Sequence, residues 1–115
     1  LPWPSEIQVH SVWMKNLNRT YACGNNIWVY DNKEWKKVQA LPPNWWNRIR
    51  GIADNDIWAC GDRGVLTHFN GESWAFYKLG DYGMTYYDLD IKNDLVIVAG
   101  FGIRNGNIIR IRRNR

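Results

Sequence analysis

At 115 residues the chain has the length of about one domain, enough to bury a modest hydrophobic core. Its 45% hydrophobic content is ordinary for a globular chain, and no apolar run approaches the roughly 18–20 residues that span a bilayer as a helix. The formal net charge of +4 is modest, but eight tryptophans and six tyrosines are unusual and demand an explanation.

Segments rich in β-branched and aromatic residues follow one another from the start of the chain. The spacing predicts strands at 10–16 and 20–24, then a turn at Gly24-Asn25-Asn26 into Ile27-Trp28-Val29-Tyr30-Asp31. A second turn, Asp31-Asn32-Lys33, leads to Glu34-Trp35-Lys36-Lys37-Val38. After the linker Leu41-Pro42-Pro43-Asn44-Trp45-Trp46-Asn47 the pattern starts again, with strands at 47–53 and 56–60. Gly61-Asp62-Arg63-Gly64 then turns into Val65-Leu66-Thr67-His68-Phe69, and Asn70-Gly71-Glu72 into Ser73-Trp74-Ala75-Phe76-Tyr77. A second linker, Gly80-Asp81-Tyr82-Gly83-Met84-Thr85-Tyr86-Tyr87, precedes strands at 86–92 and 95–100. The turn Arg104-Asn105-Gly106 opens a last strand, Asn107-Ile108-Ile109-Arg110-Ile111-Arg112. Asn-Gly at 70–71 and at 105–106 suits hairpin turns that need positive φ. No segment of ten or more residues has helical periodicity.

These strands belong to a repeat. Tyr21-Ala22-Cys23-Gly24 lies 37 residues before Trp58-Ala59-Cys60-Gly61, which lies 39 before Ile97-Val98-Ala99-Gly100. A period near 40 with several short strands is the signature of a β-propeller. The expected fold is therefore all-β, with four-stranded antiparallel propeller-type blades at about 8–41, 47–79 and 86–115, or about 2.75 blades in total. Two arrangements stay open. Leu1–Ile7 could supply the missing fourth strand, giving three blades that close with a second chain into a six-bladed ring; alternatively, the chain is a piece of a larger propeller. Cys23 and Cys60 hold equivalent places on neighbouring blades, beyond the separation of at most about 7 Å that a disulfide tolerates. They read as small core residues in a reducing compartment. With no charged-then-apolar leader in view, a cytoplasmic location is the expectation, although a signal upstream of Leu1 would not be visible.

The second copy, Asp56-Ile57-Trp58-Ala59-Cys60-Gly61-Asp62-Arg63-Gly64-Val65-Leu66 with Phe69-Asn70-Gly71-Glu72-Ser73-Trp74, resembles a bacterial blade type. It is similar to the repeats of the photosystem II stability and assembly factor group, which are related to the sialidase-like BNR repeats. That resemblance covers the second copy well, the first moderately and the third loosely. It implies a fold and not an activity. Of the Asp-box turn that BNR repeats carry, Thr67, Gly71 and Trp74 match, but Phe69 stands where the aspartate belongs. No sialidase residue is carried over.

Chemistry-bearing patterns are sparse. His10 and His68, with two cysteines, show no paired metal-ligand spacing, and Asp88 and Asp90 on one strand face read as solvent- or channel-facing charges rather than an acid–base pair. No catalytic residue, cofactor or metal site is expected. Trp28, Trp35, Trp58 and Trp74 read as repeat-equivalent packing residues. The linker aromatics have no such counterpart, and adjacent strand residues point to opposite sides, so one of each pair is free to bind. Trp45, Trp46, Arg48, Arg50, Tyr82, Tyr86 and Tyr87 are the candidate partner-binding residues, of types common at binding hot spots. Arg104, Arg110, Arg112, Arg113 and Arg115 add a basic end, either an anion-facing patch or a charged strand edge. The expected function is a non-catalytic module that recognises a partner protein, as in assembly factors or immunity-type inhibitors. The alternatives are a lectin that assembles into a propeller and, third, single-stranded nucleic-acid binding. The chain is expected to act as a homodimer or with missing blades, and not at a membrane.

Overall fold

The computed structural model describes residues 8–113. Among the described residues the β-branched and aromatic runs form eleven strands in three antiparallel sheets. The first sheet is β1 (Val9–Asn16), β2 (Arg19–Gly24), β3 (Ile27–Tyr30) and β4 (Trp35–Lys37), in that spatial order. The second is β5 (Trp46–Ala53), β6 (Asp56–Gly61), β7 (Val65–Phe69) and β8 (Trp74–Lys78). The third is β9 (Thr85–Lys92), β10 (Leu95–Phe101) and β11 (Gly106–Arg112). A single 3-10 turn at Asp62–Gly64 is the helical element among the described residues. None of the described helices is long and apolar enough to cross a membrane. Leu1–Ile7, expected as a fourth strand for the third sheet, and Arg115 lie outside the described residues.

Two turn expectations part company. Gly71 takes φ +100° after Asn70, whose side chain accepts hydrogen bonds from the Glu72 and Ser73 amides. Gly106 instead begins β11, and its turn closes earlier, where the Gly102 amide donates to the Asn105 carbonyl.

The sheets stack through alternate residues of their strands. Tyr21, Cys23 and Ile27 of the first sheet meet Trp46, Ile49, Ile57 and Ala59 of the second in one core. Trp58, Cys60 and Leu66 of the second meet Tyr86, Leu89, Val96 and Val98 of the third in another. The inner strands β1, β5 and β9 lie side by side. Their registers make Val12, Ile49 and Leu89 equivalent positions. Ile49 and Leu89 are 0% and 4% exposed because a preceding sheet covers them, whereas Val12 is 55% exposed. The outward face of the third sheet likewise leaves Ile97, Phe101 and Ile108 exposed.

The cysteines are buried free thiols, as their repeat positions imply. Burial pushes the Cys60 thiol up to about 12, so it is protonated and inert at neutral pH. The tryptophan equivalences need correction. Trp35 and Trp74 do match, pairing with Tyr30 and Phe69. By register, however, Trp58 stands where the first sheet has Tyr21, and Trp28 where the second has Thr67.

Candidate functional site

Antiparallel order puts both linkers, and the turns after β2, β6 and β10, on one edge of the stack. Six of the seven candidate residues lie at or near this edge, Arg50 sits mid-strand in β5, and the seven divide into three groups. Trp46 and Tyr86 are core residues with 0% exposure, which corrects their reading as binding residues. Each lies in the first two residues of its strand, β5 or β9, opposite a glycine, Gly61 or Gly100, and turns into a sheet–sheet core.

Arg48 and Arg50 are tethers. Arg48 Nε lies 2.9 Å from Asp88 Oδ1, which ties the second sheet to the third. The Arg50 guanidinium donates to Ser11 Oγ at 3.2 Å and to the carbonyls of Val12 and Ile49 at 3.3 and 2.7 Å, tying the second sheet to the first. Asn47 reinforces the junction: its Oδ1 meets His10 Nδ1 at 3.2 Å, and its Nδ2 donates to Asp62 Oδ1 and the Tyr86 carbonyl at 3.1 and 2.8 Å. One amide side chain thus touches all three sheets. Its place at a register shift in β5 puts it there, and sequence periodicity gives no sign of that shift.

Trp45, Tyr82 and Tyr87 remain accessible, at 38%, 66% and 48% exposed. Trp45 stacks on His10 with ring centroids 5.6 Å apart, and Tyr87 stacks on Phe101 at 5.1 Å. Arg63 and Lys78 lie over the Tyr82 ring at 5.3 and 5.9 Å. A shallow depression of about 530 Å³ runs beside Tyr82, Met84, Ile103 and Arg104. The accessible part of the expected site is therefore aromatic, with two cations over the Tyr82 ring.

A second concavity escaped the sequence reading. A cleft of about 830 Å³ opens between the second and third sheets, lined by Ile52, Asp56, His68, Tyr77, Leu79 and Ile111 among others. On its wall Asp56 Oδ1 accepts from Trp58 Nε1 at 2.8 Å and meets His68 Nε2 at 3.0 Å, while Oδ2 pairs with Arg113. The His68 ring also stacks on Trp58, with centroids 4.1 Å apart. His68 is thus packed against Trp58 and accessible from the cleft. No single-sequence signal joins these residues, because they come from β5, β6, β7, β8 and β11 and from the segments that follow β8 and β11.

Burial lowers the His68 imidazole below its ordinary 6.5. The Asp56 charge does not reverse this, since Arg113 and the Trp58 indole already oppose it. The folded chain then takes up this proton less readily than the unfolded chain, so acid favours unfolding. The urea midpoint is expected to fall as pH drops below 6.5 and on through the lower folded value. In His68→Phe that step should vanish; an unchanged step would refute the assignment. Asp31, held below its usual 3.8 by the amides of Glu34 and Lys33, loses its contribution only at still lower pH.

Comparison of the chain with protein-family models, with curated proteins and with solved structures finds no match.

Proposed function

We propose that the three sheets are successive β-propeller blades and that the chain is a non-catalytic binding module for a partner protein. The reading rests on one observation: Trp45, Tyr82, Tyr87, Phe101 and Ile103 are all exposed on the edge that carries the linkers. Accessible large aromatics with cationic neighbours are the side chains that anchor protein interfaces. The blade assignment is supported by three sheets in repeat register, stacked through adjacent inner strands, with bulges at matching positions.

The basic component of the expected face is weaker than its sequence implies. Arg48 and Arg50 spend their guanidinium groups between sheets, which leaves less charge for a phosphate backbone. Steeply salt-dependent binding, the mark of nucleic acid, is accordingly not expected.

The test is affinity capture with the chain and with its Trp45→Ser/Tyr82→Ser double variant, followed by pairwise titration of each purified partner. A partner that binds the chain and loses about tenfold or more with the double variant supports the reading. A glycan-array signal that disappears in Trp45→Ser, with no protein partner, would replace it with a lectin.

A further inference from the structure

We infer that Asn105-Gly106 is a site of spontaneous deamidation through a cyclic imide, and that the outer turn of the second sheet shields Asn70-Gly71 from the same reaction. These are the two Asn-Gly pairs of the sequence. The reaction needs an uncrowded peptide nitrogen directly after the asparagine, which glycine supplies because it has no Cβ. All four residues are exposed, so access to water does not separate the pairs. Hydrogen bonding and crowding do.

Asn70 is clamped. Its Oδ1 accepts from the Glu72 and Ser73 amides, both at 2.9 Å, and Gly71 is held at φ +100°. Carrying the Asn70 carboxamide carbon onto the Gly71 nitrogen gives up both bonds. The space is also taken, since a Cβ at Gly71 would stand 2.9 Å from Asn55 Cβ. The clamp is a device of the repeat: in the corresponding turn of the first sheet, Asp31 Oδ1 accepts in the same way from the Lys33 and Glu34 amides.

Asn105 has neither restraint. Among the described residues it is held through its main-chain carbonyl, which accepts from the Gly102 amide, and its carboxamide has no hydrogen bond. Gly106 is the first residue of β11, where the ladder with β10 ends. A Cβ there would meet nothing closer than the Gly100 carbonyl oxygen at 3.9 Å. Solvent hydroxide takes the Gly106 amide proton, and the nitrogen attacks Asn105 Cγ. The N–Cγ bond forms, the Cγ–Nδ2 bond breaks and ammonia leaves. Water then opens the imide at its side-chain carbonyl, giving aspartate, or at its main-chain carbonyl, giving isoaspartate.

Position gives the reaction a consequence. Asn105 borders the depression beside Tyr82, together with Asp81, Ile103 and Arg104. The product carboxylate would offset the charge of Arg104, and isoaspartate would add a carbon to the main chain of the turn. The proposed partner face would thus lose positive charge as the protein ages. That consequence rests on the partner reading, whereas the chemistry does not and is measured with no partner present.

The test is incubation of the folded chain, and of the chain unfolded in guanidinium chloride, in one mildly alkaline buffer. Cleavage after lysine in mildly acidic buffer places Asn70 in the peptide that starts at Val38 and Asn105 in the peptide that starts at Asn93. Fragmentation mass spectrometry then locates each exchange of NH2 for OH, and labelling by isoaspartyl methyltransferase reports isoaspartate. Unfolded, both pairs should react at similar rates. Folded, Asn105 should stay within about threefold of that rate, while Asn70 should slow about tenfold or more because two hydrogen bonds must open first. Asn105→Gln, whose longer side chain closes an imide far more slowly, should remove the signal of its peptide and leave the urea midpoint unchanged. Loss of the difference between the two pairs, its reversal, or no conversion at Asn105 while the unfolded chain converts, overturns the proposal.

Discussion

Trp46→Ala is expected to lower the free energy of unfolding by about 3–5 kcal/mol, whereas Trp45→Ala should cost about 1 kcal/mol. The two tryptophans are neighbours in sequence and face opposite environments. Trp46 has 0% exposure and packs in the first core with Tyr21, Ile49 and Ile57, its ring edge-on to Phe76 at 6.4 Å. Its removal leaves a cavity between two sheets whose backbones cannot close on it, because Arg50 and Asn47 tether the inner strands. Trp45 is 38% exposed and loses chiefly its stacking on His10. A domain of this size is stable by about 5–15 kcal/mol, so the first change removes a large part of the margin. Urea unfolding followed by far-ultraviolet dichroism reads both values. Equal costs would mean that Trp45 and Trp46 are not divided between surface and core.

That division shows how far the sequence carries. Alternation says that one of two adjacent aromatics is buried, but the register shift between Trp46 and Arg48 decides which. The strands were readable because antiparallel hairpins pair residues close in sequence, and the observed bounds fall within about one residue of the expected ones wherever a strand was delimited. The arginines were misread for the opposite reason. Arg48 and Arg50 sit two apart and suggest one shared basic face, yet their partners Asp88 and Ser11 lie about 40 residues away in opposite directions along the chain. The cleft was invisible altogether. Its walls come from β5, β6, β7, β8 and β11, strands far apart along the chain, and no local pattern joins them.

Gly61→Ala is expected to destabilise the chain by about 3 kcal/mol or more, although alanine is a mild substitution in most extended positions. The cause is contact and not conformation, since Gly61 has φ −163°, an extended value open to any residue. A Cβ at Gly61 would stand 2.0 Å from the Trp45 carbonyl oxygen, and the obstacle is backbone, which cannot rotate away. The same approach recurs at Gly24, 1.9 Å from the Gln8 oxygen, and at Gly100, 2.0 Å from the Thr85 oxygen. In each sheet a register shift at the start of the inner strand presses a carbonyl onto the end of the second strand. The glycine that closes Tyr-Ala-Cys-Gly, Trp-Ala-Cys-Gly and Ile-Val-Ala-Gly is therefore required three times by one geometric fact. All three alanine variants should lose stability alike, while Gly83→Ala, whose Cβ meets nothing closer than 3.9 Å, should stay within about 0.5 kcal/mol of the parent. Urea midpoints of the four variants decide the matter: a tolerated Gly61→Ala would show that the inner strand can slide off its bulge, and the repeat would then lose its steric explanation.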